Sequence, residues 1–500
     1  MNCSRMARSP SPPGAIDRPD RSRPALLALL GLLGLGLTGC SHLLPGSYTD
    51  RRLAEPLPTR QTPGPPPPTR QTPAPPTPTP SEAAPPAPRA ISGLADLLDQ
   101  ALRNDPGTRA AWLDARAAAG TAGARRAAWL PTLDASADLT RTQSRSSVAV
   151  EARRTDATVS AQLTWLLLDL GARSASQDEA EQLLLAARLA HESAVLDLAL
   201  RVEETWYAYQ TSRALLVAAD ATVKQAETSL KAAEERRSAG AATVADVLQA
   251  RTALSLLRLD VQRLEGQSAG LRGRLATLAG LPPTVELTVP PLPEEVHAAE
   301  TLPQVERLLD EAARANPDLA RSRALADAAE ARARGVSRAD LPTLSGVAGI
   351  GSDWPLAPES DRYTFWSAGL RLRVPLFSGG RATFEAASAR ASAEAARARI
   401  DATGRQVQLD VWTSWQALRT AARRGQTSRD LLTSATQGVE VASGRYREGV
   451  GSILDLLSSQ SALESARAEE ILARADWLVG LARLARATGR HLPAAQGAAP

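Results

Sequence analysis

Catalysis and metal binding need clustered nucleophiles, bases or ligands, and this sequence offers few. Its four histidines (His42, His191, His297, His491) are scattered. Its two cysteines, Cys3 and Cys40, have no CxxC or HExxH spacing around them. Zinc-type sites draw on closely spaced His and Cys, so no metal ligand is assigned. No nucleophile–base–acid set and no phosphate-cradling glycine loop is present, so the chain is read as no enzyme and as needing no cofactor. The polar residues that do recur in type and spacing sit in two turns. One holds Arg236, Gly240, Thr243 and Asp246, and the other holds Arg445, Tyr446, Gly449, Ser452 and Asp455. Their local chemistry is that of helix ends. Gly240 and Gly449 suit the left-handed conformation that closes a helix. Thr243 and Ser452 can cap the next one, with Asp246 and Asp455 three residues on completing a capping-box arrangement.

Two equal turns imply two equal hairpins, and the whole chain repeats itself from about residue 91. Asp105-Pro106 answers Asn316-Pro317, and Leu130-Pro131-Thr132-Leu133 answers Leu341-Pro342-Thr343-Leu344, both at an offset of 211. Further on, Trp206 answers Trp415, Arg236 answers Arg445 and Gly280 answers Gly489, at an offset of 209. A unit that long is a duplicated domain half, not a solenoid repeat. Each half opens with an Ala-rich helical stretch, 92–128 and 304–339, stopped by Leu-Pro-Thr-Leu because Pro cannot continue a helix. After the strands comes a Pro-free helical run, 172–237 and 381–446, reaching about 100 Å at ~1.5 Å per residue. A second helix returns at 243–280 and 452–488, with the spaced Leu, Val and Ala that coiled-coil packing needs. The aromatics Trp206, Tyr207, Tyr209, Trp412 and Trp415 are read as packing residues.

Between the first helices and the long ones, apolar and polar residues alternate. Leu133, Ala135, Ala137 and Leu139 alternate with Asp134, Ser136 and Asp138. Ala157 to Trp165 repeats the pattern, as does Trp366 to Val374, whereas 344–350 is weaker and Gly-rich. Period two marks strands wetted on one side. Strands of about 9–10 residues also match what a transmembrane β-strand requires. Arg371 and Arg373, costly against lipid, would then face a water-filled lumen. Polar loops at 141–156 and 351–362 would be the extracellular ends.

The N-terminus reads as an address. Arg18, Arg21 and Arg23 precede an apolar run, Ala25 to Leu37, too short to span a bilayer comfortably but suited to a signal-peptide core. It ends in Leu37-Thr38-Gly39-Cys40, which resembles the bacterial lipobox, in which the Cys becomes the acylated first residue. Ser41 in place of Asp favours the outer membrane, by resemblance to sorted Gram-negative lipoproteins. From Pro56 to Pro88 the chain is Pro- and Thr-rich and cannot form a core, so an extended tether is expected. The formal charge of +4 falls to about +1 once residues 1–39, with five Arg and two Asp, are set aside. That balance gives no basic field for nucleic acid.

Taken together, the duplicated helix, strand pair and long hairpin, the two matching turns and the segment Val374-Pro375-Leu376-Phe377-Ser378-Gly379-Gly380-Arg381 resemble the TolC-like outer membrane efflux proteins, over about residues 91–490. The first-half counterpart, Leu166 to Gly171, lacks the Pro. The resemblance implies a mainly α fold with a small β part. A homotrimer would close a 12-stranded β-barrel above a periplasmic α-helical tunnel. It further implies outer-membrane location and passive efflux, fed by a periplasmic adaptor protein and an inner-membrane pump. Asp455, with Asp246 as its first-half equivalent, would form the periplasmic gate. Ser458 stands where the family often has a second acid, which puts a double acidic ring in doubt. Arg236, Gly240, Arg445, Tyr446 and Gly449 would lie at the adaptor-contacting tip. The expected organisation is a lipoprotein signal peptide (1–39), an acylated N-terminus and Pro-rich linker (40–90), a first repeat (91–285), an inter-repeat linker (286–303), a second repeat (304–490) and a disordered tail (491–500). Type I protein secretion and a non-conducting periplasmic scaffold are the alternatives.

Overall fold

The computed structural model describes residues 93–144, 152–293, 304–356 and 361–490. The expected signal peptide, Cys40, the expected Pro-rich linker and residues 491–500 lie outside the described residues. In chain order the elements are α1 (Leu94–Asn104), α2 (Pro106–Ala127), β1 (Thr132–Ser144), β2 (Ala152–Leu168), α3 (Ala172–Ser238), α4 (Val244–Leu278), α5 (Val305–Ala315), α6 (Pro317–Arg338), β3 (Thr343–Pro355), β4 (Tyr363–Arg373), α7 (Arg381–Arg447) and α8 (Ile453–Thr488). The second six repeat the first six. The fold is mainly helical, with one small sheet, as the sequence indicates.

The long helices α3 and α7 hold 67 residues each. Both begin directly after a glycine in the left-handed region, Gly171 (φ 92) and Gly380 (φ 83), where the chain turns out of the sheet. Their return helices, α4 and α8, hold 35 and 36 residues, about half that length. The remaining path is filled by α2 and α6, stacked on the ends of α4 and α8. Asn104 Nδ2 donates to the Ala279 carbonyl at 2.9 Å, and Asn316 Nδ2 donates to the Ala487 carbonyl at 3.0 Å. These bonds satisfy carbonyls that a helix C-terminus leaves free. Gly280 and Gly489 close the same ends with positive φ (74 and 76), and a Cβ on Gly489 would lie 2.6 Å from the Ala315 carbonyl oxygen.

The single helical stretches expected at 92–128 and 304–339 are therefore two helices each. Asp105 and Asn316 take extended backbone and cap α2 and α6, accepting from Thr108 N at 2.7 Å and from Asp318 N at 2.9 Å. Pro106 and Pro317 occupy the first helical position, where a missing N–H is harmless.

Where these joints meet the long helices, two cores form. The first gathers Leu97 and Ala101 with Leu198, Val202, Trp206, Leu275, Leu287 and Val289. The second gathers Leu308 and Ala312 with Val411, Leu418, Trp477 and Leu484. Tyr207 packs against both. Trp206 and Tyr209 are packing residues as expected, but Trp412 is half exposed, stacked on Trp415 with ring centres 5.9 Å apart.

The four strands form one antiparallel sheet in the order β1-β2-β3-β4. They hold 13, 17, 13 and 11 residues, longer than expected. Pairing continues beyond the alternating apolar part, through Thr140–Asp156 to Ser144–Ala152. The reason is that backbone ladders need no apolar side chains, so much of the presumed loops is strand. The Gly-rich third strand is also regular. Gly351 lies under the Phe365 ring of β4, and a Cβ there would sit 2.5 Å from it. Glycine weakens the sequence signal where a neighbour supplies the side chain.

Candidate functional site

The two hairpin turns fold as their residues dictate. Gly240 and Gly449 adopt φ of 75 and 80. Both capping boxes are complete. Asp246 Oδ2 accepts from Thr243 N at 2.7 Å and from Thr243 Oγ1 at 3.0 Å. Asp455 Oδ2 accepts from Ser452 N at 3.4 Å, while Asp455 N donates to Ser452 Oγ at 3.1 Å. The second carboxylate is exposed and more loosely held than the half-buried first. Each box is worth ~1 kcal/mol to its helix.

The tips lie side by side. The Arg236 guanidinium sits 4.8 Å over the Tyr446 ring and donates to the Tyr446 carbonyl. Its terminal nitrogens also approach Gly449, where a Cβ would lie 3.4 Å from Nη2. Tyr446 is 5 % exposed, packed with Ile453 and Leu456 and against Ala232 of α3. Burial pushes its phenol pKa upward, and Asp246 adds to this while Arg236 opposes it. Gln460 Nε2 donates to Ser229 Oγ at 2.9 Å, tying α8 to α3 just above. Three of the expected tip residues, Arg236, Tyr446 and Gly449, thus form one cluster across the two hairpins, and Asp246, expected at the gate, is near enough to act on the Tyr446 phenol. Gly240 has open space around it, and Arg445 lies on the exposed side of α7.

At the other end, the sheet register separates two faces. On one, Leu133, Leu163, Ala348 and Ala368 line up across the strands, as do Ala135, Ala161, Ile350 and Trp366. On the other are Asp134, Ser136, Asp138, Thr158, Ser160, Gln162, Asp353, Arg371 and Arg373. The apolar face is uncovered, with Leu133, Leu139, Trp366 and Leu370 each more than 70 % exposed. Among the described residues no helix is long and apolar enough to cross a membrane.

Two further clusters have little sequence signal. At the β2–α3 turn, buried Asp169 accepts from Arg173 N at 2.6 Å and pairs with the Arg173 guanidinium at 3.2 Å. Arg173 stacks on Trp129 at 4.3 Å and donates to the Leu166 carbonyl at 2.7 Å. Only the Asp–Arg spacing of four hints at this clamp in the sequence. Between the halves, Arg486 bridges Asp197 (2.6 Å) and Asp318 (2.8 Å), with Ser193 donating to Asp318 at 2.7 Å. Burial works to raise Asp318, but the bonds from Ser193 and Arg486 outweigh it and hold the carboxyl below its usual range.

A sheet with one uncovered apolar face, set on paired helical hairpins about 100 Å long, defines the class: an outer-membrane channel protein with a helical periplasmic part. The comparisons agree. The chain belongs to the outer membrane efflux protein family, whose model matches residues 97–281 and 308–490. It is 29 % identical to protein CyaE of Bordetella pertussis over 381 residues, 76 % of this chain and 80 % of that one. It is 28 % identical to the alkaline protease secretion protein AprF of Pseudomonas aeruginosa over 405 residues, 78 % and 83 % of the two chains. In fold it is similar to the outer membrane protein VceC of Vibrio cholerae, with a TM-score of 0.70 and 20 % identity over 79 % of this chain and 96 % of that one.

Proposed function

We propose that three copies of this chain close a twelve-stranded barrel and a continuous helical tunnel, and that this conduit passively exports substrates handed over by a periplasmic adaptor and an inner-membrane pump. The observation that carries it is the sheet itself. Strands β1 and β4 are both edges, and the face between them is apolar and uncovered. Open edges are not tolerated in hydrocarbon, and four strands cannot close a barrel. A second copy pairing β4 with β1 removes both edges once the ring closes. At the far end, Asp455 and Asp246 would ring the entrance. Arg236, Gly240, Arg445, Tyr446 and Gly449 would form the adaptor-facing tip. Acylated Cys40 would hold the assembly to the outer membrane through buried methylenes, ~0.8 kcal/mol each. The chemistry is that of a pore, with no catalytic step.

Protein secretion is the second reading, favoured by the likeness to AprF, whose name states that role. Purified protein in planar bilayers tests the main reading. The expected result is a cross-linked species of three protomers forming discrete pores, with larger conductance for Asp455→Ala. A folded trimer that forms no pores, with or without that substitution, would sink it. Co-purification with a folded protein substrate, and none with small molecules, would favour secretion.

A further inference from the structure

The polar face of the sheet is not uniformly polar, because its charges are sorted by height. At the end that joins the helices, β4 places Arg371 opposite Ser345 and Arg373 opposite Thr343. Toward the other end, one row across the sheet holds Asp138, Thr158, Asp353 and Tyr363. Asp156 stands in the next row and Asp134 lies between the two zones. Among the described residues, Arg154 is the one cation on this face in the outer rows, paired with Asp156 and lying 3.6 Å from Asp353. Three carboxylates against one guanidinium leave the outer zone negative, while the base is positive. From Ser345 to Asp353 is eight residues of β3, or roughly 26 Å at ~3.3 Å per residue. That exceeds the screening length of ~8 Å at physiological salt, so the zones act separately.

We infer that the barrel lumen is a bipolar pore, with an arginine ring at its periplasmic base that draws anionic groups out of the tunnel and an acidic zone at its outer mouth that favours cations. The inference rests on the trimeric-channel reading, in which each zone is repeated three times around one axis. Rings of fixed charge set ion preference in pores. Two rings of opposite sign in series add a directional property. When the exterior is positive, cations enter through the acidic mouth and anions enter through the basic base, so both accumulate between the zones. The reverse voltage empties that region. Current is therefore larger with the exterior positive. Arg371 and Arg373 are the specificity-determining residues. The substrates they favour carry carboxylate, phosphate or sulfate groups.

The experiment is single-channel recording in oriented planar bilayers, at potassium chloride concentrations from about 1 M down to about 0.1 M. For the wild-type trimer, the ratio of currents at equal and opposite voltages should rise above about 1.5 as the screening length grows from ~3 Å toward ~10 Å, still well short of the distance between the zones. Arg371→Glu with Arg373→Glu makes the lumen acidic throughout. It should abolish the asymmetry while leaving the tip unchanged, and shift the reversal potential toward cation selectivity. Asp138→Asn with Asp353→Asn should reduce the asymmetry from the other side. Wild-type pores with a linear response at about 0.1 M would overturn the inference. So would an asymmetry that survives the Arg371/Arg373 exchange, which would locate its source at the tip. A folded trimer without pores would instead refute the channel reading.

Discussion

Tyr446 combines a buried ring with a hydroxyl that has no hydrogen-bond partner among the described residues. These two features make opposite predictions. Tyr446→Phe removes only the unsatisfied group, so tip stability should be unchanged or higher by up to ~1 kcal/mol. Tyr446→Ala empties a packed site and removes the surface on which Arg236 stacks, at ~3 kcal/mol or more. Amide hydrogen exchange across the second turn reads both, and equal loss of protection in the two variants would show that the ring is not what holds the tip. The turn residues were legible because glycine, hydroxyl and carboxylate at fixed spacing have few other uses. The burial of Tyr446 was not legible, because its partners Arg236 and Ala232 come from the other repeat, and no local pattern reports a contact between repeats.

At the level of elements, legibility came from local rules. The bounds of α3 and α7 were read to within one residue, since an unbroken Pro-free run between two glycine turns has one outcome. The stacked joints were missed because Asp-Pro and Asn-Pro read equally well as a helix continuing through its first turn. Only the structure brings Gly280 and Gly489 against those positions. The joints make a graded prediction from glycines of the same conformation. Gly240→Ala should lose only the ~1 kcal/mol of left-handed strain, because nothing lies near its Cβ position. Gly489→Ala meets backbone at 2.6 Å and should cost several-fold more, displacing α8 from α6. Thermal unfolding tracked by circular dichroism separates them, and similar shifts in melting temperature for both variants would mean that the joint yields freely.

Across the whole molecule, the belt where the two halves meet holds a titrating group. Glu203 lies one turn before Tyr207, and burial raises its carboxyl from 4.5 to about 7. The same burial, with Glu203 adding to it, lifts the Tyr207 phenol to about 12. In the unfolded chain Glu203 releases its proton near its ordinary value, so between about 4.5 and 7 the folded state binds more protons. Stability should then fall as pH rises through that window and level off above it. Glu203→Gln should flatten this part of the profile, as measured by denaturant unfolding at stepped pH. An unchanged slope would assign it to other groups.

The pairing of β2 with β3 joins the two repeats, matching Ala157 with Trp354. All of α3 and α4 must be synthesised and folded out of the way before that ladder can start. The sheet is thus assembled late and through distant partners, which is the slow, exposed kind of folding. Until β3 arrives, β1 and β2 are a lone hairpin with an apolar face, marginal in water on their own. In kinetic terms the duplication makes the second repeat the rate-setting half, and it leaves the nascent first half as a client for any chaperone that shields β-hairpins.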